Sequence, residues 1–166
     1  MEIQKAYLGI DNGVSGAWAV IDADGSMIDW GLMPCQKHRN LNEIDIAQLK
    51  RDIDDALTGC GSVTCIIEEP GGSKSANAAK SMAGSFHSIR AILTLSLRRW
   101  HRVTPQAWQK VMLPGCKAGN TKPAALELAG RLWPDERFLP TDRCIKSHDG
   151  AIDAALIAEY ARRTGL

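Results

Sequence analysis

Tyr7-Leu8-Gly9-Ile10-Asp11-Asn12-Gly13 is the stretch on which the reading of the whole chain turns. An apolar run stops at a carboxylate and then a glycine, the pattern of a buried strand meeting a turn. Asn-Gly is a strong two-residue hairpin signal, because both residues tolerate the positive φ that such turns need. That accounts for the turn but not for Asp11, since a strand ending inside a fold has little use for a charge. Other acids converging on Asp11 would supply the reason.

Working outward, Gly16-Ala17-Trp18-Ala19-Val20-Ile21 and Met27-Ile28-Asp29-Trp30-Gly31-Leu32 read as second and third strands, with Asp24-Gly25 as the turn between them. With residues 5–10 as the first strand, three consecutive antiparallel strands are expected. A polar loop with Pro34, His38 and Arg39 follows, and 41–57 takes up helical spacing. Ile46, Leu49, Ile53 and Leu57 share one face, with Asn42 as N-cap and Gly59 as the stop. Val63-Thr64-Cys65-Ile66-Ile67-Glu68-Glu69 is a fourth strand, apolar enough to be central, and it too ends in acid. Residues 73–97 read as a long helix whose early small residues permit close approach to the sheet or to a partner subunit. A short strand at 98–103 comes next. Thr104-Pro105 opens a helix containing Trp108 and Lys110, and Thr121-Lys122-Pro123 opens another, capped by Thr121 and ending near Trp133. Ser147 caps a last helix over 147–163.

This order predicts an α/β fold with a five-stranded mixed sheet, its first three strands antiparallel, flanked by helices. The first and fourth strands should be adjacent and parallel. Ligand chemistry in open α/β sheets gathers at the carboxyl ends of such strands, where Asp11 and Glu68 or Glu69 lie. Side chains alternate along a strand, so only one of those two glutamates can join Asp11. Asp149 and Asp153 are four apart, which on a helix puts both carboxylates on one face, the inward stripe shared with Leu156 and Tyr160. Like charges at that spacing oppose the helix by roughly 0.2–0.5 kcal/mol when exposed, unless a cation sits between them. Packing the start of this helix against the strand ends would bring four carboxylates together. An all-oxygen set without His or Cys favours Mg²⁺ or Mn²⁺ over zinc. Two such ions about 4 Å apart suit the hydrolysis of a phosphodiester.

Composition is compatible with that chemistry. At 166 residues, 45% apolar and 23% charged, the chain is expected to fold as one domain over 1–166, and disordered and fibrous classes are excluded. No apolar run approaches the roughly 20 residues of a membrane helix, and the start of the chain has no basic-then-apolar signal, so a cytoplasmic location is expected. The five cysteines are odd in number and form no CxxC pair, so they are expected to be reduced; a zinc site from Cys60 and Cys65 is the weaker alternative. The net charge of +1 hides an asymmetry: residues 1–69 carry 5 basic and 12 acidic side chains, and residues 70–166 carry 15 and 7. A basic half beside an acidic half suits a protein that holds a polyanion on one surface and cations in a separate pocket. Lys122, at a helix start where free amides favour anions, is a candidate phosphate contact.

Taken together, Leu8-Gly9-Ile10-Asp11-Asn12-Gly13, Ile66-Ile67-Glu68-Glu69-Pro70 and His148-Asp149-Gly150-Ala151-Ile152-Asp153-Ala154-Ala155-Leu156-Ile157-Ala158 resemble the RuvC-like Holliday junction resolvases, within the ribonuclease H-like fold. Thr104-Pro105-Gln106-Ala107-Trp108-Gln109-Lys110 and Thr121-Lys122 resemble segments of the phage branch of that family, in which the lysines face DNA. The resemblance implies catalytic and metal-holding roles for Asp11, Glu68, Asp149 and Asp153, and selects Glu68 over Glu69. It further implies two Mg²⁺ ions, for which Mn²⁺ can substitute, and DNA contacts through Lys110 and Lys122. A homodimer that cuts opposed strands of a four-way junction, leaving 5′-phosphate and 3′-hydroxyl ends, is implied as well. The last motif departs from the bacterial pattern in its Asp-x-x-x-Asp spacing, which leaves Asp149 and His148 as alternatives for the fourth site residue. Gly71-Gly72 also replaces an aromatic of the bacterial members.

Other readings remain open at this stage. The same acids would serve a ribonuclease H-like nuclease acting on flaps or RNA. Gly9-Ile10-Asp11-Asn12-Gly13 also fits an actin-like or sugar-kinase-like nucleotide binder, although no second glycine-rich phosphate loop follows. A junction-binding protein without catalysis is the third.

Overall fold

A computed structural model describes residues 4–38, 41–72, 75–96, 98–117 and 119–166. Its main sheet has five strands: β1 (Gln4–Asp11), β2 (Ala17–Asp22), β3 (Met27–Leu32), β6 (Cys60–Glu68) and β7 (Arg99–Val103). They lie in the order β3-β2-β1-β6-β7. The pairs β1–β2 and β2–β3 are antiparallel, while β1–β6 and β6–β7 are parallel. The mixed sheet expected from the sequence is therefore present, with β1 at its centre.

Alternation along the strands divides the core in two. Ala6, Leu8, Ile10, Cys65 and Ile67 face one side, covered by α1 (Ile46–Ala56) and α2 (Ala76–Leu95) through Leu49, Ile53, Phe86, Ile89 and Leu93. Tyr7, Ala19, Ile21, Ile66 and Val103 face the other, covered by α3 (Pro105–Met112), α4 (Thr121–Leu132) and α5 (Asp149–Thr164). α5 lies across β1 and β2 on a face of alanines, and Ala151, Ala154, Ala155, Ala158 and Ala161 are fully buried. Contact with β1 is closest at Gly9, where a Cβ would fall 2.1 Å from Ala154 O and 2.5 Å from Ala158 N. Only glycine lets the helix backbone sit so near the central strand.

The structure corrects several local expectations. The segment 33–45 is not a plain loop: β4 (Cys35–His38) pairs antiparallel with β5 (Leu41–Ile44), so α1 begins at Ile46 and not at 41. Asp45, rather than Asn42, is its N-cap, accepting the Gln48 N–H at 2.9 Å. Arg39 lies outside the described residues, as do Ser73 and Leu97, the expected ends of α2; Ser75 takes the N-cap position of that helix. Between β1 and β2 there is no two-residue turn. Gly13 has φ 131° and Asn12 does not adopt positive φ, and the chain turns over residues 13–16, with Gly16 N donating to Gly13 O. The Asn12 side chain is buried and donates through Nδ2 to Met82 O on α2 at 3.0 Å. α4 is capped at Asn120 without a side-chain hydrogen bond, so Thr121 is inside the helix.

All five cysteines are free thiols, as expected. Among the described residues, no helix is long and apolar enough to cross a membrane.

Candidate active site

The register of β1 against β6 sets Ile10 beside Ile67, so the next residues, Asp11 and Glu68, end neighbouring strands together. Both belong to the face that carries Tyr7 and Ile66, the face covered by α5. Glu69 points the other way and pairs with Arg102 on β7, Oε1 to Nε 3.2 Å. The glutamate that joins Asp11 is therefore Glu68.

α5 brings the other acids. It begins one residue later than expected, with His148 and not Ser147 as N-cap: His148 Nδ1 accepts the Ala151 N–H at 3.2 Å. Ser147 instead donates from Oγ to Arg137 O at 2.7 Å. Gly150, in the first turn, abuts β1 so tightly that a Cβ there would lie 2.7 Å from Asp11 Oδ2. That contact sets the start of α5 against the end of β1. Asp153 follows one turn later. Trp108 of α3, 1% exposed, donates from Nε1 to Glu68 Oε2 at 3.3 Å.

The acids act on one another electrostatically. Burial, then the charges of Glu68 and Asp153, hold the Asp11 carboxyl well above its ordinary range. Burial and the charge of Asp153 push Glu68 up to about 7, against the Trp108 hydrogen bond. Burial and the charge of Asp149 push Asp153 up to about 6, with Lys122 opposing. Asp149 behaves oppositely. The Lys122 ammonium, 2.6 Å from its Oδ2, holds it below the ordinary carboxylate range despite partial burial, and Lys146 and His148 add to this. Three of the four expected acids thus form a mutually repelling, partly buried group, and the fourth, 39% exposed, is turned toward a lysine. Among the described residues, no three His, Cys, Asp or Glu side chains close on one point tightly enough to hold a metal ion as they stand.

An open cleft of about 530 Å³ reaches Asp11 and Asp153 but is not lined by Glu68; Asp149, Ser15, Lys122 and Lys146 are also in its wall. A larger depression of about 770 Å³, between β5, the start of α1 and α2, holds none of the acids. Lys110 is exposed near the end of α3 and does not line the cleft. Lys146 lines it and was not singled out in the sequence, because nothing in its loop marks it until the fold places it. Trp108 lay within a recognised segment, but its bond to Glu68 spans forty residues and has no local signature.

By donor chemistry, though not by their present spacing, Asp11, Glu68 and Asp153 suit a hard divalent cation. The donors are all oxygen, and each charge raises the cost of its neighbours, a cost that a bound cation would reverse. Asp149 would join on exchanging Lys122 for the metal. His148 has Nδ1 committed to the helix end, which leaves Nε2 as its free ring nitrogen.

No protein-family model and no curated protein matches this chain. In fold it is similar to T. thermophilus RuvC solved in complex with a Holliday junction substrate, with TM-score 0.55 and 10% identity over 97% of this chain and 96% of that one. A structure of Thermus thermophilus RuvC without that description of a substrate gives TM-score 0.54 and 12% identity, covering 96% of each chain. The five-stranded mixed α/β fold expected from the sequence is observed, and it is the fold of these two RuvC structures.

Proposed function

We propose that the protein is a Mg²⁺-dependent, structure-selective endodeoxyribonuclease that resolves four-way DNA junctions. In this reading it works as a homodimer that nicks opposed strands and leaves 5′-phosphate and 3′-hydroxyl ends. The observation that carries it is the gathering of Asp11, Glu68 and Asp153 at the carboxyl ends of β1 and β6, beside a lysine-bearing cleft, in a fold shared with a RuvC bound to a Holliday junction substrate.

Asp11, Glu68 and Asp153 would hold the metal, with Asp149 or His148 completing the set. When bound, two Mg²⁺ ions supply Lewis-acid activation of a water and neutralise charge on the leaving oxygen. The chain's own residues prepare that chemistry. Lys122 and Lys146 give the cleft a positive rim that draws a phosphodiester toward the acids. Trp108 limits the rotation of Glu68 by holding one of its carboxylate oxygens. Gly150 removes the side chain that would otherwise push Asp11 out of line. Burial of the three acids lowers the local dielectric, which strengthens each charge interaction made there.

The test is cleavage by the full chain in Mg²⁺ of a four-way junction, a flap, a linear duplex and an RNA–DNA hybrid. Paired, symmetric nicks on the junction are expected, abolished by Asp153→Asn while junction binding persists. A protein that cuts flap or hybrid and leaves the junction whole is a different ribonuclease H-like nuclease, and the junction reading then fails.

A further inference from the structure

The segment between α4 and α5 is a loop whose base is locked and whose tip borders the cleft. Trp133 Nε1 donates to Gly25 O at 2.9 Å, and Trp30 Nε1 donates to Glu136 Oε2 at 2.8 Å. Phe138, 2% exposed, packs on Trp30 with ring centroids 5.5 Å apart. Phe138 O then accepts the His148 N–H at 2.8 Å, which ties the two ends of the loop together. Closed ends of this kind define a compact loop that holds its own shape. Inside it, Cys144 N donates to Thr141 O at 2.9 Å, making a tight turn, and Ile145 comes directly after that turn.

Ile145 is 95% exposed. A lone exposed aliphatic side chain is ordinary on a protein surface. This one sits between exposed Arg143 and cleft-lining Lys146, on a loop that also gives Pro140 and Ser147 to the cleft wall. One isoleucine offers far less area than the roughly 800 Å² per partner of a stable protein interface. Cations flanking an apolar point suit DNA, where the cations meet phosphates and an aliphatic side chain enters between stacked bases. A β-branched side chain has little rotamer freedom to lose on insertion.

We infer that Ile145 is a wedge that enters a DNA base step next to the strand held at Asp11 and Asp153, with Arg143 and Lys146 gripping the flanking phosphates. The inference rests on the nuclease reading and adds a residue that unstacks the substrate and positions it in the cleft.

The experiment uses the full chain and DNA carrying 2-aminopurine at successive positions, as four-way junction, flap and linear duplex. Each is titrated in Ca²⁺ with wild type, I145A and I145L, and cleavage is followed in Mg²⁺. Wild type and I145L are expected to brighten the probe at one or two positions beside the cut. I145A is expected to lose that brightening and to cut about tenfold more slowly, as the loss of one wedge contact implies. Equal brightening by I145A and wild type, or none by wild type on any substrate, overturns the wedge. Conversion of a wild-type dimer into a monomer by I145A, read by light scattering, also overturns it, because Ile145 then belongs to a subunit contact. Brightening of flap or duplex without junction cleavage leaves the wedge standing and removes the junction reading instead.

Discussion

Trp108 and Glu68 are joined by an indole N–H to carboxylate hydrogen bond of 3.3 Å, from the middle of α3 to the last residue of β6. It opposes the burial and the Asp153 charge that push Glu68 up to about 7. Trp108→Phe keeps most of the ring and removes the donor. Glu68 should then titrate higher still, so the acid limb of the pH–rate profile should move upward and the Mg²⁺ requirement should rise several-fold. Stability should fall by roughly 1–3 kcal/mol, because the smaller ring leaves a cavity in the core as well as a lost hydrogen bond. Unchanged pH limb and Mg²⁺ dependence, measured on the junction, would show that Glu68 needs no help from Trp108.

Acids gathered at one place cost the fold something when no cation sits among them. Glu68 and Asp153 have folded-state values of about 7 and about 6, above their ordinary 4.5 and 3.8. The folded chain therefore holds these protons more tightly than the unfolded chain. Stability falls as pH rises from about 4 through about 7, because the burial of each charge is then uncompensated. Glu68→Gln and Asp153→Asn should each raise the stability of the metal-free protein at pH 8, by roughly 1–3 kcal/mol, while removing cleavage. Mg²⁺ should raise the Tm of wild type and leave that of the variants nearly unmoved. Thermal melts across pH, with and without Mg²⁺, read both effects. A wild type whose metal-free stability does not fall over that pH interval would contradict the mutual burial of these acids.

Two glycines set the distance between α5 and the central strand, and they should fail differently. At Gly9 an added Cβ meets backbone atoms of Ala154 and Ala158, which cannot swing aside, so Gly9→Ala should displace the helix and destabilise the fold by about 3 kcal/mol or more. At Gly150 the nearest atom is a side-chain oxygen of Asp11, with the Ser15 and Gly16 backbone beyond 3 Å. Gly150→Ala should fold with a smaller loss and turn Asp11 away, so cleavage should drop far more than stability. Urea melts and single-turnover cleavage on the same two variants separate these outcomes. Comparable loss of activity per unit of lost stability in both would show that Gly150 has no special relation to Asp11.

The legible part of the site was the part where charge contradicts location. A carboxylate ending an apolar strand, and two carboxylates four apart on an inward helix stripe, are costly unless they do something, so Asp11, the Glu68-Glu69 pair and the Asp149-Asp153 pair stood out from the chain itself, and the family resemblance chose Glu68. The order of the first four strands of the sheet was legible from their apolar runs and turns, whereas the place of β7 at the edge beside β6 was not. What stayed hidden depends on contacts between distant residues. β4 and β5 are four-residue, largely polar strands that pair only with each other, so no period announced them, and the helical spacing of 46–57 was extended back across β5. Ser147 is the better cap by chemistry, yet its hydroxyl is drawn to Arg137 O and the His148 ring takes the cap. Lys122 looked like a free phosphate contact, and only the packing of α4 beside α5 shows that Asp149 already engages it.

Under the nuclease proposal, that engagement would couple DNA binding to Asp149 through Lys122. Its side chain is 75% exposed and its ammonium lies 2.6 Å from Asp149 Oδ2, so an incoming phosphate would compete with the carboxylate for it. A pair so open to solvent adds little to the fold, and Lys122→Ala should leave Tm within a degree or two. Two effects on function are expected. Junction affinity should weaken for every junction sequence alike, and the slope of log affinity against log salt should shrink by about one, as for the loss of one phosphate contact. Asp149, released from the lysine that holds it low, should titrate upward toward its ordinary range, so cleavage at low pH should suffer more than cleavage at pH 8. Lys110→Ala, away from the cleft, should change the salt slope by the same amount if it meets a phosphate, and should not alter the pH profile. Filter binding over a salt series, with pH–rate profiles of both variants, distinguishes the two lysines. A K122A enzyme with wild-type salt dependence would mean that Lys122 serves only to hold Asp149.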